Sequence, residues 1–393
     1  MLDLRKVAGQ MSALSEQVQG ESLRQKLRLE RANQLLQMAI EHQSHYENLQ
    51  IQWGKNFVFN CAQPCAPLAE NDLSFIYDEP HQVIAADGSQ IAPSRHEAVY
   101  CYLVNVGRVW ITYGTGQRPL LDSVPEVYYQ PEDLYRGRQW GITTEEWMKW
   151  QRNINEIQVL GELAGMCDRA LPTLALVDGS LVYWELENLP TPARHEILQP
   201  ILAVWEQLRS LGIPLIGYIS SPRATETTNF LRLLCCAYDT PNCTNHCGDR
   251  LTENLPCGQV YPLRDSTLWQ SRLQVGEFSP LWRSTADISA EYGQEQEIYF
   301  SYVNLGSEVA RVDMPAWTAC DQTLRELAYS IILAQVQKGY GYPVALAESH
   351  NQAVVTNADR HRFFSILQSY LQRAGVSAPN LTNKETRKRR SIA

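Results

Sequence analysis

Apolar residues alternate with Gln, Glu and Arg at helical spacing through residues 12 to 50. The stretch "LRQKLRLERANQLLQMAIEH" has no Gly or Pro after Gly20, so one long helix is expected there. Such a helix can pack on the main domain, pair with a second subunit or dock a partner, and the pattern does not choose among them. From Phe57 the pattern becomes mixed. Residues 82 to 87 read as a strand, and "AVYCYLVNVGRVWITYG", from Ala98 to Gly114, reads as two strands joined at Asn105 to Gly107. Further on, residues 144 to 170 read as a helix, 173 to 178 as a strand, 195 to 211 as a helix and Pro214 to Ser220 as a strand. That alternation predicts parallel strands with crossover helices. After Arg232 come a Cys-rich stretch at 235 to 257, a second hairpin in "EIYFSYVNLGSEVARVDMP", and helices at 321 to 338 and 351 to 373. The expected fold class is α/β with mixed strand directions. The chain divides into an N-terminal helical region (1 to 55), a main domain (56 to 373) and a basic C-terminal tail (374 to 393).

Composition narrows this picture. The chain has 393 residues, of which 44% are hydrophobic and 20% charged, ordinary values for a globular protein with a sizeable core. A net charge of -9 argues against a surface that grips nucleic acid over its whole extent, although a local basic groove remains open. The tail "NKETRKRRSIA" concentrates Lys384, Arg387, Lys388, Arg389 and Arg390, which fits either a solvated end or a phosphate-contacting arm. No stretch approaches the roughly 18 apolar residues of a membrane helix, and "MLDLRKVAGQ" lacks a signal-peptide apolar region. A cytoplasmic protein with mostly reduced thiols is therefore expected.

Two strands run into the same tripeptide. "VIAADGSQIAP" brings an apolar run to Asp87, Gly88 and Ser89, and "TLALVDGSL" does the same at Asp178, Gly179 and Ser180. One Asp-Gly-Ser is most simply a turn. Two of them suggest two carboxylates delivered to one sheet edge, where hard divalent cations are commonly held. A third acid is sought on the helix before Asp178, which offers Glu156 and Glu162. At about 100° per residue, Glu156 falls near the centre of the face carrying Val159, Leu160, Leu163, Met166, Cys167 and Ala170, whereas Glu162 projects towards Gln158, Gly161 and Arg169. An acid facing a core is costly unless paired or metal-bound, so Glu156 is the better candidate, with a buried salt bridge as the bland alternative.

The stretch "CCAYDTPNCTNHCGDRLTENLPC" gathers Cys235, Cys236, Cys243, Cys247 and Cys257 with His246. It is a candidate structural Zn²⁺ clip, but it lacks paired C-x2-C knuckles, and free or redox-active thiols remain the other reading. Cys61 and Cys65 are unassigned, while Cys101, Cys167 and Cys320 sit in apolar patterns and are expected in the core.

Taken in order, the Asp-Gly-Ser strand with its hairpin, the glutamate-bearing helix and the second Asp-Gly-Ser strand resemble the NurA nuclease family. "GYISSPRATETTNFLRLL", "IYFSYVNLGSEVARVDMPAW" and "GYPVALAESHNQAVV" resemble that family's central strand and helix, late hairpin and C-terminal Tyr and His motif, so that the likeness covers roughly residues 80 to 370. The resemblance implies an RNase H-like mixed sheet flanked by helices, carrying here a long N-terminal helix and a Cys-rich insert. It implies a DNA nuclease using Mn²⁺ or Mg²⁺, two ions being expected, in DNA double-strand break end processing. An exonuclease, 5′ to 3′, with some single-strand endonuclease activity is expected, working as a homodimer beside a HerA-type hexameric translocase. Asp87, Glu156 and Asp178 would be metal ligands, Tyr342 would position a phosphate or water, and His350 would ligate metal or shuttle a proton. The sequence departs from the family at "ISSPRAT", where Arg223 stands near the place of an expected basic residue. The chain has no G-x-x-x-x-G-K-[ST] motif, so a motor would be a separate chain. The alternative function is a catalytically weak DNA-binding or scaffold protein of the same fold that recruits a translocase; a metal hydrolase acting on small substrates is a third reading.

Overall fold

The computed structural model describes residues 3 to 94, 99 to 248 and 250 to 375. Its longer elements, numbered along the chain, begin with α1 (Met11–Glu41) and α2 (Gln43–Trp53), then β1 (His81–Ile91), β2 (Tyr102–Tyr113) and β3 (Leu120–Tyr128). Next come α3 (Thr144–Met166), β4 (Thr173–Asp178), α4 (Thr191–Ser210), β5 (Leu215–Ile219) and α5 (Glu226–Arg232). The last are β6 (Ile298–Asn304), β7 (Val309–Pro315), α6 (Gln322–Lys338), α7 (Val344–Ala353) and α8 (Asn357–Arg373). The basic residues Lys384 to Arg390 lie outside the described residues. The described residues form two compact units, one from within 3–75, 179–182 and 218–319, the other from within 76–178, 183–217 and 320–375.

In the second unit the strands lie in the order β3-β2-β1-β4-β5. β1 is antiparallel to β2 and parallel to β4, and β2 is antiparallel to β3. This is a mixed sheet flanked by helices, as expected, with α3 and α7 packed on β1 and β2. Helix α3 starts on a capping box, Thr143 accepting from the Glu146 N–H while the Glu146 carboxylate accepts from the Thr143 N–H. Its buried face carries Trp147, Ile154, Ile157, Leu160 and Leu163, while Met166 and Ala170, expected on that face, are exposed.

Two expected turns are in fact mid-strand. The strand foreseen at 82 to 87 runs on through Gly88 and Ser89, with Asp87 opposite Gly107 and Ser89 opposite Asn105. The hairpin foreseen at Asn105 to Gly107 does not form, because β2 is continuous from Tyr102 to Tyr113 and pairs with β1 on one side and β3 on the other. The physical reason is close approach. A Cβ on Gly107 would lie 2.3 Å from the Ser349 carbonyl oxygen and 2.5 Å from the Ala353 nitrogen, both backbone of α7. Gly107 thus marks where a helix backbone presses on a strand, a second common use of glycine within strands. Gly107→Ala is expected to cost about 1–3 kcal/mol by overpacking against backbone that cannot rotate away. An unchanged denaturant midpoint would show that α7 yields instead.

The first unit has its core where the second half of α1 meets the later strands. Ala32, Leu35, Leu36 and Ala39 are buried with Phe230, Trp269, Trp282, Phe300 and Tyr302. Met11, Leu14, Val18, Leu23 and Leu27 of the first half are exposed. The single long helix expected over 12 to 50 is broken at His42. Directly after the break, the Gln43 side chain donates to the Ala66 carbonyl at 2.9 Å and accepts from the Leu68 N–H at 2.8 Å, which ties α2 to the following loop.

Beneath β7 lies a buried ionic cluster. Arg311, 3% exposed, donates through Nε to Asp313 at 2.6 Å and through Nη1 to Glu226, and its guanidinium lies 3.7 Å from the centre of the Phe300 ring. The second Asp313 oxygen accepts from the Ser180 hydroxyl at 2.6 Å and the Leu181 N–H at 3.1 Å. Ser180 of the second Asp-Gly-Ser is therefore structural.

Candidate active site

Strand alternation sorts the candidate residues onto two faces. Asp87 lies directly opposite Gly107, so its side chain shares the face on which α7 packs, and Gly88 projects to the face of α3. Ala86 pairs with Val177 in the parallel ladder, so the next residues, Asp87 and Asp178, stand side by side, Asp178 at the carboxyl end of β4 and Asp87 where the parallel pairing of β1 stops although β1 itself runs on to Ile91. Open α/β sheets place their ligands at such ends. The expected pair of adjacent carboxylates is present, although only Asp178 closes its strand. It is followed by Gly179 at φ 116°, a conformation that an L residue rarely adopts.

The late motif supplies the next two groups. His350, foreseen near the start of a helix, sits in the last turn of α7, because α7 and α8 are separate helices divided at Val354 to Thr356. A fresh capping box at Thr356 and Asp359 starts α8. The His350 Nδ1 lies 2.8 Å from Asp87 Oδ2, with the imidazole largely exposed and the carboxylate largely covered. The other Asp87 oxygen accepts from the Gly88 N–H at 2.8 Å. Helix α7 is fixed to the strands from behind, the Ala353 carbonyl accepting from Ser89 and, at 2.8 Å, from the Asn105 amide. Tyr342 hydrogen-bonds to Asp178 and draws its carboxyl downward. Burial and the nearby Asp87 charge prevail, and the net effect holds Asp178 above the ordinary carboxylate range.

Glu156 arrives through a gap. A Cβ on Gly88 would lie 2.4 Å from Glu156 Oε1 and 2.7 Å from Arg152 Cγ, so the absent side chain is what admits both. The carboxylate pairs with Arg152 at 3.2 Å, one turn back along α3, and its side chain is 16% exposed. Burial pushes Glu156 up to about 8, with the Asp87 and Asp178 charges adding to the rise and Arg152 and the Gly88 N–H opposing it. Glu162 is exposed, as its helical position foretold. Four of the five expected residues, Asp87, Asp178, Tyr342 and His350, are thus joined by hydrogen bonds or strand register, and Glu156 joins them electrostatically.

Gly88, Arg152 and Tyr183 went unnoticed in the sequence. Gly88 reads as part of a turn, and the Arg152 to Glu156 spacing is a routine helical ion pair. The Tyr183 phenol, pushed up by burial and then by the Glu156 charge, is visible only in three dimensions. Among the described residues, no three His, Cys, Asp or Glu side chains converge as a formed metal site. The donor set nevertheless fits a hard cation. Burial first, and the neighbouring carboxylate charge after it, hold Glu156 and Asp178 above the ordinary range, and Arg152 pairs with Glu156.

The cysteines part company with expectation in one place. Cys101 and Cys167 are buried as foreseen, but Cys320 is exposed at the end of the short helix that follows β7. Cys235, Cys236, Cys243, Cys247 and Cys257 are half-buried free thiols within electrostatic reach of one another. Burial raises Cys235, Cys236 and Cys243 above the ordinary thiol range. His246 stacks on Tyr238 at 4.2 Å.

No described helix is long and apolar enough to cross a membrane. The solved NurA nuclease from Sulfolobus solfataricus superposes with a TM-score of 0.52 at 13% identity, covering 95% of this chain and 98% of that one. At that identity the likeness concerns the fold. A type 1 RNase H with the type 2 active-site motif, LC9-RNase H1, gives a TM-score of only 0.20 at 15% identity over 40% of this chain and 71% of its own. No curated protein matches the chain by sequence. The NurA domain family model matches residues 81–355, which contain β1 through α7 and every site residue described above, so the chain belongs to the NurA domain family.

Proposed function

We propose that the protein is a divalent-metal-dependent DNA nuclease. The observation that carries this reading is the placement of Asp87 and Asp178 side by side on adjacent parallel strands, with His350 on Asp87 and a strongly raised Glu156 coupled to both. Asp87, Glu156, Asp178 and His350 would hold Mn²⁺ or Mg²⁺. When bound, two such ions supply an activated water and stabilise charge on the phosphate oxygens. The chain's own groups do the rest. Asp87 orients the His350 ring through Nδ1, Tyr342 fixes Asp178, and Arg152 holds the Glu156 carboxyl in place.

The wider reading is a 5′ to 3′ exonuclease with some single-strand endonuclease activity, in DNA end processing. It acts as a cytoplasmic homodimer beside a HerA-type hexameric translocase. Family membership supports these finer points. The direct test is cleavage of end-labelled single- and double-stranded DNA with Mn²⁺, Mg²⁺ or EDTA. Shortening that needs the metal supports the enzyme; no cleavage under any condition, with or without a translocase, would point to the scaffold.

Gly88→Ala keeps every ligand yet pushes a methyl into the Glu156 and Arg152 side chains. Because these are flexible, folding should survive while cleavage falls roughly tenfold or more, on the general sensitivity of rate to misplacement of catalytic groups. Full activity would mean that Glu156 need not sit at β1.

Glu156 also predicts a proton linkage. Its folded value lies above the unfolded value, so the folded state binds the proton more tightly, and stability is lost as pH rises from the ordinary 4.5 through about 8. A cation that ionises Glu156 should therefore release close to one proton at pH 7 and almost none at pH 9. Calorimetric titration of Mn²⁺ in buffers of different ionisation enthalpy reads this directly, and heats independent of buffer at pH 7 would exclude it.

A further inference from the structure

The turn between α6 and α7 contains a residue that its backbone does not favour. Helix α6 ends in a Schellman motif: the Gly341 N–H bonds to the Val336 carbonyl at 2.9 Å and the Tyr340 N–H to that of Gln337 at 3.3 Å. In this motif the residue one past the cap is left-handed and is usually glycine. Here Gly339 is the cap and that residue is Tyr340, at φ 54°. A left-handed conformation costs an L residue on the order of 1–2 kcal/mol. Gly339 is needed where it stands, since a Cβ there would lie 1.9 Å from the Tyr342 carbonyl oxygen.

Burial does not compensate Tyr340. Its side chain is 100% exposed, the extreme among the large apolar residues of the described chain. Held between two glycines by the hydrogen bonds of the motif, the ring projects from a fixed backbone rather than a loose one. Its position is the second observation. Tyr342, two residues on, hydrogen-bonds to Asp178, and two residues span at most about 7 Å of chain. Strain combined with full exposure beside a site is the pattern in which an outlier points to function.

We infer that Tyr340 is a stacking platform for an unpaired base of single-stranded DNA, next to the phosphate that enters the site. The inference rests on the nuclease reading and adds the group that positions the strand. An exposed aromatic ring suits this task because every base has a π-face, which gives grip without sequence preference. It would favour frayed or single-stranded ends over a closed duplex, whose bases are already stacked.

Tyr340→Gly separates the two halves of the argument. It relieves the strain, so the melting temperature should rise, and it removes the ring, so affinity for single strands should fall. Stacking is worth about 1–3 kcal/mol per base, which corresponds to roughly 5- to 150-fold in Kd. Binding of the full chain to an oligonucleotide carrying 2-aminopurine is measured in EDTA, and cleavage is measured separately with Mn²⁺. Expected are weaker binding, loss of fluorophore quenching, a higher KM and a nearly unchanged kcat, with Tyr340→Phe restoring all four. Unchanged binding and quenching by Tyr340→Gly overturn the inference, and the nuclease reading stands if wild type still cleaves. Binding and quenching that depend on Tyr340 without cleavage by wild type would uphold the platform and remove the nuclease reading. A mutant that loses dimerisation rather than base stacking would assign Tyr340 to a subunit contact and overturn the inference.

Discussion

Asp87→Asn and Asp178→Asn should each lower metal-dependent DNA cleavage by about 10³-fold or more while leaving the far-UV circular dichroism and the melting transition nearly unchanged. Metal ions contribute several kcal/mol of charge stabilisation to phosphodiester cleavage, and each 1.36 kcal/mol is tenfold in rate. The two substitutions should also act as one. Because the aspartates stand side by side on adjacent parallel strands, removing the second after the first should cost little more. Single variants that retain full activity, or a double variant whose losses multiply, would show that the two carboxylates do not share a cation.

Arg311→Met is the second large effect, and it concerns stability rather than catalysis. Glu226 and Asp313 are 5% and 0% exposed, and removing the guanidinium strands both carboxylates in the core. Breaking a buried ion pair from one side costs about 3–5 kcal/mol, or roughly 10 °C in melting temperature for a unit of this size. Neutralising all three positions, Arg311→Met with Glu226→Gln and Asp313→Asn, should recover a good part of the loss, because neither carboxylate that Arg311 pairs with is then left charged. If the triple variant melts below the single one, the penalty lies in lost packing on Phe300 and not in stranded charge.

Fold class and the residues that gather around Asp87 were legible to different depths. Asp178 closes an apolar run, and Glu156 occupies an apolar helix face where an unpaired acid would be costly; both signals are local. Asp87 was found through the repeated tripeptide, although its assumed turn is absent. Asn105 to Gly107 misled for the same reason, since Gly within a strand reads as a bend while the helix backbone that requires it lies about 240 residues away. Tyr342 and His350 carry little local signal and were placed only by the order of motifs along the chain. Arg311 was hidden in "SEVARVDMP", where the valines dominate and Glu226, its partner, lies 85 residues away. Cys320 followed an apolar segment without belonging to its buried face, which hydropathy alone does not distinguish.

At Gly88 and Gly107 the sheet is bare on opposite faces, one serving α3 and the other α7. The two helices are separated there by little more than a peptide layer, so a displacement of either is transmitted without any relay of side chains. Local rigidity and catalytic geometry are then a single quantity at this end of the sheet. Substitutions selected elsewhere on α3 or α7 for stability alone will register as changes in turnover, and slow hydrogen exchange in the two helices should rise and fall together.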